Sequence, residues 1–442
     1  MRGNRRNTHG LLSPRMGFHY FPDTDHYTRK DLDTWLPVLN QLQAGWLVLL
    51  ANGTRAIPEQ FVTGLVNASI KPIIHIQLPL PNSPAAKELK TLFSAYARWG
   101  VKHIILFDKP NRMQSWSSSG WVQQDLVERF IDRFLPLALA VAQAGMIPIF
   151  PPLEPVGSYW DLSFLKQSLQ SMQRRGYHAL IDHLGIASYA YTFNHDLDYG
   201  AGGPGRWPNA LPYGKPADSQ DQQGFRNYEW LQSAAISAIG KELPLFMLGA
   251  GVKEPGSAYS PELHAGVCLN IIELLKKDSL DNRIPDTVQS CNFYLLSADP
   301  SASDHAHAWY KADGGVLPIV NLLSNPGLLN YTQPGDLGST NDEFGILNKS
   351  IASHPIAHYL LLPLYDWGVA DYHLEVTRPF VQKHHPTIGF SIQEASLAIK
   401  VTVIGGEQTF PEELLSQLRA SGSIVERITG DGTSIATQLA ER

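Results

Sequence analysis

The stretch Val101–Lys109 reads VKHIILFDK, an apolar run that ends in an aspartate and a lysine. Its apolar residues are continuous rather than alternating, which is typical of a parallel strand that is covered on both faces. Polar residues that follow such a strand lie at the carboxyl edge of the sheet, where α/β proteins place their sites. The stretch therefore predicts a buried parallel strand that delivers Asp108 and Lys109 to a functional edge.

Seven more runs of this kind occur, and segments with helical periodicity separate them. Eight strand–helix units predict an α/β fold, specifically a (β/α)8 TIM barrel. A doubly wound open sheet is the rival fold, but its Gly-rich phosphate turn is missing after the first run, where residues 19–25 read HYFPDTD. The predicted runs are residues 16–23, 46–52, 72–80, 101–109, 147–154, 179–191, 243–251 and 289–298.

Composition divides the chain further. Residues 1–15 carry four arginines and no acid, and we expect a flexible basic tail. Residues 16–325 form the predicted barrel. Residues 326–353 are rich in Asn, Gly, Pro, Ser and Thr, which predicts a linker. Residues 354–442 predict a small C-terminal α/β domain. Its predicted elements are strands at 358–364, 399–405 and 424–428, with helices near 375–383, 392–398 and 411–420.

Several classes of function are excluded by the composition. The formal net charge of −6 gives no global basic footprint for nucleic acid. No run of 18 apolar residues is present, so we expect no membrane span. Two cysteines exclude a disulfide framework and a Cys-type zinc site. We expect no cofactor and no metal, and we interpret His305 and His307 as part of a solvated loop.

The residues at the ends of the predicted strands are polar and aromatic. Aromatic rings offer flat apolar faces to sugar rings, while Asp, Asn and His bond sugar hydroxyls. This combination predicts a carbohydrate-binding barrel mouth. The candidate binding residues are His19, Asp23, His75, Asn111, Trp116, Trp160, Tyr189 and Tyr191.

Five segments, in barrel order, resemble strands four to eight of the clan A glycoside hydrolases. Val101–Trp116 is similar to strand four, where an apolar run precedes Asn-Glu-Pro and a Trp. The other segments are Pro151–Asp161, His183–Tyr191, Phe225–Gly251 and Asn292–Leu296. The resemblance implies a (β/α)8 barrel and a carbohydrate ligand.

The resemblance also implies where catalytic residues should stand. In these hydrolases the strand-four Glu is the acid/base, and the strand-seven Glu is the nucleophile. Here Asn-Glu-Pro-Asn is replaced by Asp108-Lys109-Pro110-Asn111, so Lys109 takes the acid/base position. Thr-Glu-x-Gly is replaced by residues 248–251, LGAG, so Gly249 takes the nucleophile position. Since neighbouring strand residues point oppositely, we expect that Asp108 and Lys109 do not both face the site.

Residues 401–440 resemble the end of the type 2 cell-wall-binding repeat of bacterial surface proteins. Gly405, Gly406, Val425, Arg427 and Ile428 match its pattern. The resemblance implies a bacterial cell-surface or extracellular location and a possible protein partner for this domain, although no signal segment is visible. A generic β-α-β unit is the alternative.

Three hypotheses follow for the function. The first is a glycosidase-like pseudoenzyme that binds a carbohydrate or cell-wall glycan without cleaving it. The second is a glycoside hydrolase that uses displaced carboxylates, with Glu154, Asp108 and Asp299 as candidates. The third is a structural or assembly protein whose barrel rim contacts another protein.

Overall fold

The computed structural model describes residues 13–212, 214–252, 260–276, 283–324, 356–363, 371–384 and 386–440. The chain divides into two compact units, residues 1–326 and 327–442. The predicted linker at 326–353 lies outside the described residues. Within the described ranges, none of the helices combines the length and apolar character needed to cross a membrane.

The first unit is a closed barrel of eight parallel strands, which confirms the predicted (β/α)8 TIM-barrel class. Each strand pairs with the next one along the chain, and β8 pairs with β1 to close the ring. The strands are β1 (Met16–His19), β2 (Trp46–Ala51), β3 (Lys71–Ile76), β4 (His103–Leu106), β5 (Ile147–Phe150), β6 (Gly185–Tyr191), β7 (Leu245–Gly251) and β8 (Val288–Phe293).

Helices connect the strands on the outside of the ring. The first begins after Thr28, whose hydroxyl accepts from the Asp31 N–H in a capping box. The helices are Arg29–Gln41, Glu59–Asn67, Ala86–Arg98, Ser118–Trp121, Leu126–Gln143, Asp161–Arg174, His178–Ile181, Gly203–Arg206, Asn227–Ile239, Pro261–Leu275 and Pro318–Ser324. Two short 3₁₀ helices, Met113–Ser115 and His305–His307, and two short strands, β9 (Ser297–Ala298) and β10 (Tyr310–Lys311), complete the described part of this unit.

Alternation along the strands separates two apolar cores. On β2, for example, Val48 packs inside the barrel, while Leu47 and Leu49 pack outward in the core that contains the helices. Because both sides of most strands are buried, most runs are largely apolar. β8 is the exception, with Ser290 and Asn292 buried on one face and Gln289 exposed. The buried residues of the interior core are Trp46, Val48, Ile73, Ile105, Ile149, Ala187, Tyr189, Tyr191, Phe246 and Leu248.

Most of the predicted runs extend beyond the observed strands, and the runs for β1, β3, β4 and β5 end three or four residues too late. The sixth and eighth runs also include other elements. The sixth run begins with a helical turn, His178–Ile181, and β6 starts only at Gly185. A short apolar run of this kind fits a buried helix as well as a strand. The eighth run was predicted to reach residue 298, but β8 ends at Phe293 and a separate short strand, β9, follows.

The predicted flexible tail is wrong for its last residues. The Arg15 guanidinium donates hydrogen bonds to the carbonyl oxygens of Leu275, Ile284 and Pro285 at 3.2, 3.1 and 2.8 Å. The Arg15 carbonyl in turn accepts from the Cys291 N–H at 2.8 Å. Arg15 therefore fastens the start of β1 to the segment that enters β8, where the barrel closes.

The second unit contains a parallel sheet in the order β12–β11–β13–β14. Its strands are β11 (Ile356–Leu361), β12 (Thr387–Gly389), β13 (Ala398–Ile404) and β14 (Ile424–Ile428). Separate apolar clusters cover its two faces, so this unit is doubly wound. Its helices are Asp371–His384, Ile392–Ala395, Glu412–Ala420 and Gly432–Ala440. The sequence analysis missed β12 and the last helix.

We predict that Arg15→Ala lowers the free energy of unfolding of the barrel by about 2 kcal/mol, because it removes charge-assisted hydrogen bonds to several carbonyl oxygens. Urea denaturation followed by tryptophan fluorescence measures this, since nine of the ten tryptophans precede residue 326. Arg29→Ala is the matched control. It removes only an exposed pair with Asp33 and should cost less than about 1 kcal/mol. Equal effects of the two substitutions would contradict the closing role of Arg15.

Candidate functional site

A cleft of about 390 Å³ opens at the carboxyl ends of the barrel strands. Residues from the ends of β1, β2, β3, β4, β6 and β8 and from the loop after β8 contribute to its walls. The lining is aromatic and polar, as the sequence predicts for this edge. The lining residues are His19, Pro22, Leu50, Gln77, Lys109, Tyr189, Tyr191, Tyr294, Ser303, Asp304 and His307.

Lys109 is the cationic centre of this mouth. Its Nζ lies 2.6 Å from the Glu154 carboxylate and 4.9 Å from the centroid of the Tyr189 ring. The Lys109 and Glu154 side chains are only 16% and 27% exposed, so water screens the pair less than it screens a surface pair. The pair joins the loop after β4 to the loop after β5.

Asp108 faces the same mouth, because the Tyr189 hydroxyl donates to its carboxylate at 3.0 Å. The expectation that Asp108 and Lys109 point to opposite sides is therefore wrong. β4 ends at Leu106, and both Phe107 (φ +70°) and Lys109 (φ +44°) adopt left-handed backbone conformations. The strand alternation stops at this turn, and consecutive side chains reach one ring.

His75 supports the turn from below and is fully buried. Its Nε2 lies 2.8 Å from the Phe107 carbonyl oxygen, to which it donates, and 3.9 Å from Asp108. Burial lowers the pKa of His75, so the ring is held neutral near pH 7. His75 therefore positions the Asp108 loop and does not line the cleft.

Tyr191 fills the space above Gly249 on the neighbouring strand. A Cβ at residue 249 would lie 2.7 Å from the Tyr191 hydroxyl oxygen and 2.8 Å from the ring carbon that bears it. These distances are too short for any side chain at residue 249 unless Tyr191 moves. The Tyr191 ring also stacks on Tyr189, with centroids 5.7 Å apart and planes 6° apart.

The loop after β8 contributes residues that the sequence analysis missed. The Tyr294 hydroxyl donates to Asp304 at 2.6 Å, and the Tyr294 ring stands at 90° to Tyr191. His307 lines the cleft and is buried, so the interpretation of a solvated loop is wrong for it. Ending β8 at Phe293 would have placed Tyr294 among the strand-end candidates.

His19 lies at the end of β1, on the same side of the cleft as Tyr294. Their ring centroids are 5.1 Å apart. Burial, followed by the proximity of His75, lowers the pKa of His19 to about 3. His19 is therefore a neutral imidazole that can offer a ligand one donor or one acceptor.

Three predicted binding residues serve the loops instead. Asn111 is fully buried, and its side-chain amide donates to the Glu154 and Tyr159 carbonyls and accepts from the Glu154 N–H. The Trp116 indole donates to the Pro110 carbonyl. Trp116 and Trp160 are 7% and 6% exposed, so neither presents a free flat face.

Asp23 and Asp299 belong to a separate cluster at the rim. The two nitrogens of His26 face different carboxylates, with Nδ1 2.8 Å from Asp23 and Nε2 3.4 Å from Asp299. Asp299 is 57% exposed and does not line the cleft. Among the described residues these three form the group with metal-ligand spacing. Their geometry is that of an imidazole shared between two acids.

We predict that Asn111→Ala lowers the free energy of unfolding by about 2–3 kcal/mol, because it leaves buried backbone groups of two loops without partners. Urea denaturation is the measurement. Asn67→Ala, at the exposed end of a helix, is the control and should change stability by less than about 0.5 kcal/mol. If Asn111→Ala left the free energy of unfolding unchanged, the two loops would not depend on this amide for their association.

We predict that Gly249→Ala costs about 1–3 kcal/mol, because its methyl group collides with Tyr191. Tyr191→Ala removes the obstacle, so the double variant should be more stable than the sum of the two single effects by about 1 kcal/mol. A double-mutant cycle by urea denaturation measures this coupling. Strictly additive effects would mean that Tyr191 does not limit the space at residue 249.

No protein-family model matches the chain, and no curated protein sequence matches it. Solved structures that resemble it include a family 39 glycoside hydrolase from Bacteroides cellulosilyticus WH2, with TM-score 0.48, 13% identity and coverage of 73% of this chain and 65% of that one. A monomeric β-xylosidase from Caulobacter crescentus CB15 has TM-score 0.47 and 12% identity over 72% of this chain and 68% of that one. A GH128 endo-β-1,3-glucanase from Sorangium cellulosum has TM-score 0.41 and 15% identity over 70% and 97%. The chain spans just under two thirds of the family 39 hydrolase.

Proposed function

We propose that the barrel mouth binds a carbohydrate chain and does not hydrolyse it. The cleft combines the partly exposed Tyr294 ring with hydroxyl groups of the more buried Tyr189 and Tyr191 and with neutral and charged hydrogen-bonding groups. Such a lining suits the apolar faces and the hydroxyls of sugars. The observation that carries the proposal is the Lys109–Glu154 ion pair, because it places a bound ammonium group where the resemblance to clan A hydrolases implies a catalytic acid.

Hydrolysis with retention needs a protonated carboxyl group on the leaving-group side and a carboxylate nucleophile about 5–5.5 Å away. Lys109 at the implied acid/base position is cationic, and a fixed positive charge disfavours an oxocarbenium-like transition state. Glu154 is the nearby acid, but its carboxylate is bound to Lys109. The pair therefore supports binding rather than proton transfer.

Gly249, at the implied nucleophile position, supplies no nucleophilic group either. Gly249 has no side chain to attack an anomeric carbon, and the Tyr191 ring fills the space where one would project. A tyrosine hydroxyl in this position can donate a hydrogen bond to a sugar. Burial and the surrounding acids raise the pKa of the Tyr191 hydroxyl well above its usual value, so it stays protonated.

Displaced carboxylates would be needed for the alternative, an active hydrolase. Asp108 accepts from Tyr189, Glu154 is paired with Lys109, and Asp299 is shared with His26 at the rim. Each candidate is thus engaged in a local contact. These contacts favour the binding hypothesis over rearranged catalysis. The third hypothesis, a rim that contacts protein, predicts no glycan binding at all.

The test is a glycan array followed by calorimetric titration of the full chain with the best ligands, alongside a reducing-end assay. We expect binding without release of reducing ends, and we expect Tyr294→Ala to weaken binding about tenfold or more, because it removes the partly exposed ring of the cleft. Tyr177→Ala, which alters a tyrosine just before the helix that leads into β6, is the matched control and should leave binding unchanged.

Two results would overturn this proposal. Turnover that is abolished by Glu154→Gln would establish an active hydrolase with displaced carboxylates. Absence of binding to every glycan would favour the protein-contact hypothesis. Trp116→Ala and Trp160→Ala should lower stability without a direct effect on glycan affinity, since both rings are buried.

A further inference from the structure

The charges around the mouth do not balance. Asp304 lines the cleft. Asp108 and Glu154, from the loops after β4 and β5, contact the lining residues Tyr189 and Lys109. Lys109 is the lysine among the lining residues, and it is already bound to Glu154. Carboxylates remain in excess in the described mouth even when His307 is counted as a cation.

The three carboxylates converge on one ring. The pKa of the Tyr191 hydroxyl is raised first by burial and then by Asp304, Asp108 and Glu154. The neighbouring imidazoles do not offset these acids, because burial lowers the pKa of both His19 and His75. The centre of the mouth is therefore a region of negative potential.

Aromatic faces surround the same region. Tyr189 and Tyr191 are stacked, and Tyr294 stands perpendicular to Tyr191. The face of a tyrosine ring attracts cations, and the Lys109 ammonium already lies 4.9 Å from the Tyr189 centroid. Within the protein itself, this wall thus holds a primary ammonium group between an aromatic face and a carboxylate.

We infer that the preferred ligand of the mouth is an amino sugar chain with free, protonated amines, bound through its ammonium groups to the partly exposed Tyr294 ring and to Asp304. This inference rests on the proposed carbohydrate-binding function and specifies its ligand class. A neutral sugar would gain the stacking but not the attraction of the surplus acids. An acidic sugar would be repelled by them.

The test is calorimetric titration of the full chain with three hexamers of similar length: fully deacetylated chitohexaose, N-acetylated chitohexaose and cellohexaose. Measurements are made at a pH at which the free amines are protonated. We expect the deacetylated hexamer to bind at least about tenfold more tightly than either neutral hexamer. This preference should shrink as salt is raised, because the contribution is electrostatic.

Two substitutions should act in opposite directions. Asp304→Asn should weaken binding of the deacetylated hexamer severalfold while changing cellohexaose little. Lys109→Met should strengthen binding of the deacetylated hexamer, because it frees Glu154 and removes the competing ammonium. Asp182→Asn makes the same change of charge on the N-terminal side of β6, at the opposite end of the barrel. It controls for non-specific attraction of a polycation to an acidic protein.

The outcomes distinguish the amino sugar preference from carbohydrate binding itself. Equal affinity for all three hexamers, or an equal loss with Asp182→Asn and Asp304→Asn, would overturn the amino sugar preference and leave carbohydrate binding intact. Failure of every glycan to bind, in this titration and on the array, would overturn both.

Discussion

The turn that ends β4 is the constraint on which the mouth depends. Phe107 and Lys109 both hold left-handed backbone conformations, which cost of order 1 kcal/mol or more for residues other than glycine. The surrounding structure offsets this cost. The Lys109 N–H donates to the Pro152 carbonyl at 3.0 Å, the Phe107 N–H donates to Ile76, and His75 binds the Phe107 carbonyl. Contacts with neighbouring segments therefore stabilise the strained turn. As a result, the adjacent side chains of Asp108 and Lys109 both reach Tyr189.

Once the turn is formed, the Lys109–Glu154 pair joins it to the next loop. An ion pair that is mostly shielded from water contributes little net stability, because the cost of desolvation offsets the attraction. Removal of one partner is nevertheless destabilising, because it leaves a shielded charge without a counter-ion. The Asn111 side chain joins the same two loops by hydrogen bonds to backbone groups of Glu154, and it makes no ion pair. Neighbouring residues thus have different roles: the buried Asn111 amide fixes the two loops, and Lys109 lines the cleft.

The sequence predicts the existence and order of the barrel strands well because most of them are buried on both faces and therefore mainly apolar. It predicts the ends of the strands poorly, and the site lies at those ends. Nothing in VKHIILFDK shows that Phe107 turns left-handed, so the alternation rule assigned Asp108 and Lys109 to opposite sides. The first apolar residues of the sixth run form a helical turn, which the apolar pattern does not distinguish from a strand. The predicted eighth run extends to residue 298, so Tyr294 does not count as a strand-end residue in the prediction. Trp116 and Trp160 were assigned to the mouth because residue type was visible, whereas their burial depends on loop packing that no local pattern encodes.

Gly249 and Tyr191 constrain each other sterically. A single substitution of Gly249 by Glu would place a side chain within 3 Å of the Tyr191 ring, so the ring would have to leave first. Tyr191 in turn is packed between Tyr189 and Tyr294. A carboxylate at residue 249 therefore requires at least two changes, and the second dismantles the aromatic wall. The packing that leaves no space for a side chain at residue 249 is thus the same packing that holds the aromatic wall of the cleft together.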